Sequence, residues 1–322
     1  MGRPATDLQG PAESRWPVHF DLRGVPPDIP RAADRWWLHL ILLLATLLTT
    51  TAVGARMQFN FNHNLPAFAA DHDIDAFWSW WSAPGVLRSG LPFSLTLLAI
   101  LLAHESGHYV ACLYYGVSAT LPFFLPAPTF TGTLGAFIRI RSPIYSRKQL
   151  FDIGIAGPIA GFALVLPTLA VGLALSKAIP GIASIGTLRF GTPAALWLLE
   201  KAIFPAYTPN DIYLHPVARA AWIGLFATAL NLLPAGQLDG GHIVYALFGN
   251  RHKWITRAVT VALLPLGFLW YGWLLWALLL FFFARRHPAI YDLSGIGTAR
   301  RRLAWLSLAM LLLSFTASPV NQ

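Results

Sequence analysis

Two histidines four residues apart, His104 and His108, bracket a glutamate, Glu105, near the end of an otherwise apolar run, LPFSLTLLAILLAHESGHYV (91–110). On a helix, positions i and i+4 share a face, so the two imidazoles can bind a single divalent ion. Neutral imidazole suits zinc, and zinc brings the pKa of its water down to about 7. The intervening carboxylate is close enough to take a proton from that water and later deliver it to a leaving amine. Such a triplet serves amide hydrolysis. A lone histidine or glutamate in an apolar helix is explained by packing and one hydrogen bond. Three ionisable groups in this order are costly at membrane depth, roughly several kcal/mol for a charge, unless something compensates them.

Two histidines do not complete a catalytic zinc site, which usually has three protein ligands and a water. Cys112 is the single cysteine, so neither a cysteine cluster nor an internal disulfide is available. His215 and His242 flank the apolar segment 215–234, Asp152 opens another, and Asp239 lies in NLLPAGQLDGGH (231–242). In that last stretch Pro234 and Gly236 break a helix, which can aim a carboxylate sideways.

The elements that must position these groups are membrane helices. Hydrophobic residues make up 56% of the 322-residue chain and charged ones 11%, against about 25% charged in ordinary soluble domains. Mean hydropathy is +0.55. Spans of about 20 apolar residues fit 36–55, 91–116 and 150–176, with shorter ones at 215–234 and 302–315. The stretch 254–284 holds Pro265 and Gly267 at its centre.

Charge sets the orientation. The net charge of +9 is carried largely by arginines at the ends of apolar segments, a membrane-orientation pattern rather than a nucleic-acid surface. With the N-terminus inside, the loop 56–90 is outside and acid-leaning. Arg139, Arg141, Arg147, Lys148, Arg251 and Lys253 then lie inside, as do Arg285, Arg286 and Arg300 to Arg302. That pattern requires an even number of crossings in 254–284, hence a tight helical hairpin and about seven crossings in all. HESGH then sits past the midpoint of its span toward the inner face. Asp239 follows the inner end of the fourth span, so it meets HESGH at similar depth more readily than the other candidates do.

Residues 1–35 are polar, proline-rich and mixed in charge, and read as a flexible tail rather than a signal or transit peptide. In the loop 56–90, Asp71 and Asp73 suit the cap of a surface helix, and Trp78, Trp80 and Trp81 an interfacial belt. TGTLGAFIRIRS (131–142) alternates as a strand does. A strand at membrane depth must hydrogen-bond within protein, which predicts a re-entrant β-hairpin beside the polar site. Its edge would offer Gly135, Ala136 and Phe137 to an unwound substrate strand, the alternative being a structural plug. No internal repeat or low-complexity tract is present. Arginine-rich, lysine-poor usage points to a GC-rich bacterial genome and so to a bacterial cytoplasmic membrane, with an organellar membrane as the alternative, and the loop charges put the site toward the cytoplasmic side.

HESGH followed far downstream by NLLPAGQLDGG resembles the site-2 protease family of intramembrane metalloproteases. That family carries H-E-x-x-H in one core helix and N-x-x-P-x-x-x-L-D-G in another, and both patterns stand here intact. FDIGIAGPIAGF (151–162) is similar to its glycine-rich core helix and GTLGAFIRI (132–140) to its membrane hairpin. The likeness runs from about residue 90 to 245, with a weaker echo in TLLTTTAVGA (46–55). It implies one zinc ion held by His104, His108 and Asp239, Glu105 as catalytic acid/base, and Asn231 holding substrate or the oxyanion. It also implies a transmembrane protein substrate within the lipid bilayer. Loop 177–214 is too short for the PDZ domain many members insert, which reads as a minimal, PDZ-less member.

The expected architecture is an all-α polytopic membrane protein of about six to seven transmembrane helices around a three-helix catalytic core, with a small re-entrant hairpin. Its parts would be a tail (1–35), a first helix and interfacial loop (36–90), the catalytic core (91–249) and C-terminal transmembrane helices (250–322). Two other functions stand beside protease: a catalytically inactive membrane-embedded binding relative, which would typically have lost the glutamate, and a metal transporter.

Overall fold

A computed structural model describes residues 35–66, 84–182, 189–283, 290–292 and 294–321. The expected N-terminal tail, Asp71 and Asp73, the tryptophans at 78, 80 and 81, and Arg285 and Arg286 lie outside the described residues.

Among the described residues, three helices are long and apolar enough to cross a membrane: α1 (Trp36–Asn62), α3 (Leu91–Tyr114) and α4 (Arg147–Ala174). Their 27, 24 and 28 residues span about 36–42 Å at 1.5 Å per residue, more than the roughly 30 Å hydrocarbon layer. Between α1 and α3 a single turn forms α2 (Pro84–Arg88). α1 outruns its apolar segment by about two further turns, because nothing in RMQFNFN breaks a helix. It stops where Asn64 turns left-handed at φ 54°, just ahead of Pro66. α4 starts at a capping box: Ser146 Oγ accepts from the Gln149 amide at 3.2 Å, and Gln149 Oε1 accepts from the Ser146 amide at 3.3 Å.

The strand pair lies between α3 and α4 in sequence. β1 (Phe123–Pro126) and β2 (Thr133–Phe137) are antiparallel, with Phe124 opposite Ala136 and Leu125 opposite Gly135. The ribbon continues toward its base, where the Thr120 amide donates to Arg139 O and the Arg141 amide to Ser118 O. It is fixed to α1 at both ends: His39 Nδ1 meets Pro122 O at 3.1 Å, and Thr49 Oγ1 donates to Gly132 O at 2.7 Å.

Beyond α4 come two two-residue strands, β3 (Lys177–Ala178) and β4 (Arg189–Phe190), then α5 (Ala194–Ile203) and β5 (Ile212–Tyr213). α6 (Pro216–Leu232) and α7 (Asp239–Phe248) follow, separated by the turn at Pro234–Leu238. The apolar stretch 254–284 is two helices, α8 (His252–Leu266) and α9 (Gly272–Phe283), packed on each other. α10 (Thr298–Ser314) precedes a last strand, β6 (Val320–Asn321). β3 pairs with β5 and β4 with β6; two-residue ladders of this kind leave no alternation to read in sequence.

α4 is the hub, packed against α3, α6 and α7. Phe93 and Leu97 of α3, Phe151, Val165 and Leu169 of α4, and Leu225 of α6 are fully buried between them. Between helices in a bilayer there is little water to expel, so close packing of these side chains, rather than transfer out of water, stabilises the contact.

Candidate active site

HESGH occupies the fifth turn of α3, where His104, Glu105 and His108 are all buried. The i, i+4 spacing sets the two rings edge to face, with Nε2 atoms 3.2 Å apart. Asp239 begins α7 and points its Oδ2 at both, 3.1 Å from His104 Nε2 and 3.3 Å from His108 Nε2. Tetrahedral zinc with ligand bonds of about 2.0–2.2 Å has ligand–ligand edges of about 3.3–3.6 Å. The three atoms are close to that spacing, and imidazole, imidazole and carboxylate are donors zinc accepts. The residues therefore fit the ion.

Three supports hold this geometry. His108 Nδ1 donates to the Ile153 carbonyl at 2.7 Å, which leaves the lone pair on Nε2. Small residues of α4 face both rings: a Cβ at Gly157 would land on the His108 imidazole, and one at Gly161 would come within 3.1 Å of His104 Nδ1. The turn before Asp239 needs glycine at position 236, where φ is +58°. The Gly236 amide donates to Thr256 Oγ1 at 3.2 Å, and Thr256 in turn meets His252 Nε2 at 3.3 Å. α8 thus braces the carboxylate from behind.

The hairpin touches Glu105 directly, since the backbone amide of Ile138 donates to its carboxylate. Ile138 is the residue after β2. Successive backbone groups along a strand alternate in direction, so the groups of Ala136 turn the same way as those of Ile138, about 7 Å along the chain. Gly135 and Ala136 are half-buried and Phe137 is 44% exposed. Asn231, in the last turn of α6, brings Nδ2 to 3.3 Å from His104 Nε2.

The other candidates lie elsewhere. His215 caps α6 at its far end, accepting from the Val217 amide. Asp152 holds Arg300 at 2.6 and 2.8 Å and accepts a short hydrogen bond from the Tyr115 hydroxyl. His242 packs its Cβ toward Gly154. Among the described residues, His104, His108 and Asp239 form the one cluster able to hold a metal ion. Ile153, Ile138, Thr256 and His252 escape a reading of sequence, because backbone contacts and long-range braces leave no local pattern.

The family profile of peptidase family M50 matches residues 92–271. The probable zinc metalloprotease EGY1, chloroplastic, of Oryza sativa subsp. japonica is 35% identical over 236 residues, which is 71% of this chain and 41% of that protein. Its Arabidopsis thaliana counterpart of the same name is 30% identical over 305 residues, 90% of this chain and 54% of that protein. The probable zinc metalloprotease EGY2, chloroplastic, of Arabidopsis thaliana is 31% identical over 71% of this chain and 40% of its own length. The chain thus spans about half the length of these curated relatives. The HESGH helix, the glycine-rich helix against it and the turn that delivers Asp239 all fall inside the matched region, and the chain belongs to peptidase family M50, the site-2 protease family.

Proposed function

We propose that the chain is an intramembrane zinc metalloendopeptidase that hydrolyses peptide bonds within or next to transmembrane segments of other membrane proteins. One observation carries this reading: two buried imidazoles and a half-buried carboxylate with donor atoms within 3.1–3.3 Å of one another, and Glu105 on the same helical turn. His104, His108 and Asp239 would hold the ion. When bound, zinc would supply Lewis acidity for a water and for the scissile carbonyl. Glu105 takes the proton from the attacking water and returns it to the departing amine. The Asn231 amide, beside His104, donates to the carbonyl oxygen as negative charge gathers there.

An unwound substrate segment adds to the free edge of β2 along Gly135, Ala136 and Phe137, which satisfies its backbone in a place without bulk water. The Ile138 contact supports this assignment, because it ties that edge to the catalytic carboxylate. The catalytic core is residues 91–249, and the shorter helices bring the crossings to six or seven. The site faces the cytoplasmic side of a bacterial membrane; clustering of Arg139, Arg141, Arg147 and Arg300 near one end of α3 and α4 supports that side. The relatives are chloroplastic by name, so a chloroplast membrane is the competing outcome of a localisation experiment with a tagged chain.

Glu105→Gln tests the function. Cleavage of a reporter transmembrane segment should fall by about 10²–10⁴-fold with zinc retained. Undiminished cleavage would rule out the mechanism. No cleavage by the parent, with zinc bound, would favour an inactive binding relative, and zinc-dependent metal flux through Glu105→Gln a transporter.

A further inference from the structure

At the far end of α6 from Asp239, about 20 Å along the helix, lies a cavity of about 90 Å³. Arg219 of α6, Glu200 of α5, Arg189 of β4, Thr192 just after it, and Asn210 line it. Two of these residues are unusual. Arg219 is 9% exposed, and among the described residues no carboxylate pairs with it. Its Nε donates to Leu214 O at 3.1 Å, and its guanidinium lies 5.4 Å from the Tyr213 ring and 5.6 Å from the Phe190 ring. Glu200 is 4% exposed, and among the described residues its Oε2 has no hydrogen-bond partner.

A buried guanidinium without an anion and a buried carboxyl oxygen without a partner are each costly. Native proteins leave few such groups, and those that remain call for a ligand or a function. Burial pushes the Glu200 carboxyl up to about 7, so near neutral pH much of it is protonated and serves as a donor rather than a competing anion. Two arginines and neutral donors from separate segments surround a volume far below the roughly 300–1,000 Å³ of pockets for drug-sized ligands. Arginine is the side chain suited to oxyanions, and a tetrahedral one accepts from several directions at once.

We propose that this cavity binds a single phosphoryl group, with Arg219 as its buried anchor, Arg189 at the rim and Glu200 as a hydrogen-bond donor. The group comes either from a soluble phosphate or from a phospholipid headgroup.

Titration calorimetry of the delipidated full chain in detergent decides this, with inorganic phosphate and short-chain phosphatidic acid as separate probes. Zinc content and the thermal unfolding midpoint serve as controls for folding. One-to-one binding is expected, weakened at least tenfold in Arg219→Gln and several-fold in Arg189→Gln. Binding of phosphate identifies a soluble source, and binding of phosphatidic acid alone identifies the headgroup. Should Arg219→Gln fail to fold, the exposed Arg189→Gln carries the comparison. The proposal is overturned if neither probe binds the parent, or if folded variants bind as the parent does.

Discussion

Gly157 faces His108 so closely that a methyl group there would collide with the imidazole ring. The helix cannot give way easily, because the same ring is tied by Nδ1 to Ile153 one turn earlier on α4. Gly157→Ala should therefore weaken zinc binding by about 10–100-fold, the range seen when the support of a metal ligand is lost. Gly161→Ala meets His104 at 3.1 Å, a distance a small shift relieves, and should do less. Competition with a chelator on purified protein measures both, and equal zinc affinity in Gly157→Ala and the parent would contradict the packing argument. Zinc content in His108→Ala and Asp239→Ala tests the ligand set: about one ion per chain in the parent should fall in both. His104, Glu105 and His108 were legible in sequence because polar groups at helical spacing stand out in an apolar run, and Asp239 because a helix break precedes it. The carbonyl of Ile153 was not, since a backbone group has no letter of its own.

Among the elements, the hairpin carries the sharpest test. Ile138→Pro removes the amide that Glu105 accepts from, so it disturbs catalysis and docking together. Ala136→Pro removes only an outward-facing group and separates the two. It should lower substrate affinity and cleavage about tenfold or more while leaving zinc bound; cleavage at the parental rate would sink strand addition. On α5, Glu200 gives a pH signature. Its folded pKa of about 7 lies above the ordinary 4.5, so between those values the folded state holds a proton the unfolded chain has lost. Stability falls as pH rises through that window and levels off above it, by about 3 kcal/mol in total. Glu200→Gln should flatten the slope of the unfolding midpoint between pH 5 and 7. The hairpin was readable from its alternation in TGTLGAFIRIRS. The split of 254–284 was readable as a hairpin, yet α8 ends at Leu266 and the break falls over Gly267–Tyr271, where ring packing around Trp270 and Trp273 sets the turn. Glu200 and Arg219 drew no notice in sequence, because lone charges in separate segments reveal a shared cavity only once folded.

Across the whole molecule, Asp152, Arg300 and Tyr115 join the C-terminal end of α3 to the N-terminal ends of α4 and α10. The pair is about a quarter exposed, so its contribution is screened, and Arg300→Ala should cost about 1 kcal/mol in thermal unfolding without loss of zinc. The wider arrangement has a consequence for how the protein is made. On the ligand set proposed above, 135 residues separate the first zinc donor from the last. At roughly 5–20 residues per second, about 7–27 seconds pass between the synthesis of His104 and that of Asp239. Throughout that interval the nascent chain has two imidazoles and a glutamate but lacks a complete metal shell. On the proposed function, an intramembrane protease of this design stays unarmed among newly inserted helices until the segment that carries Asp239 has been synthesised.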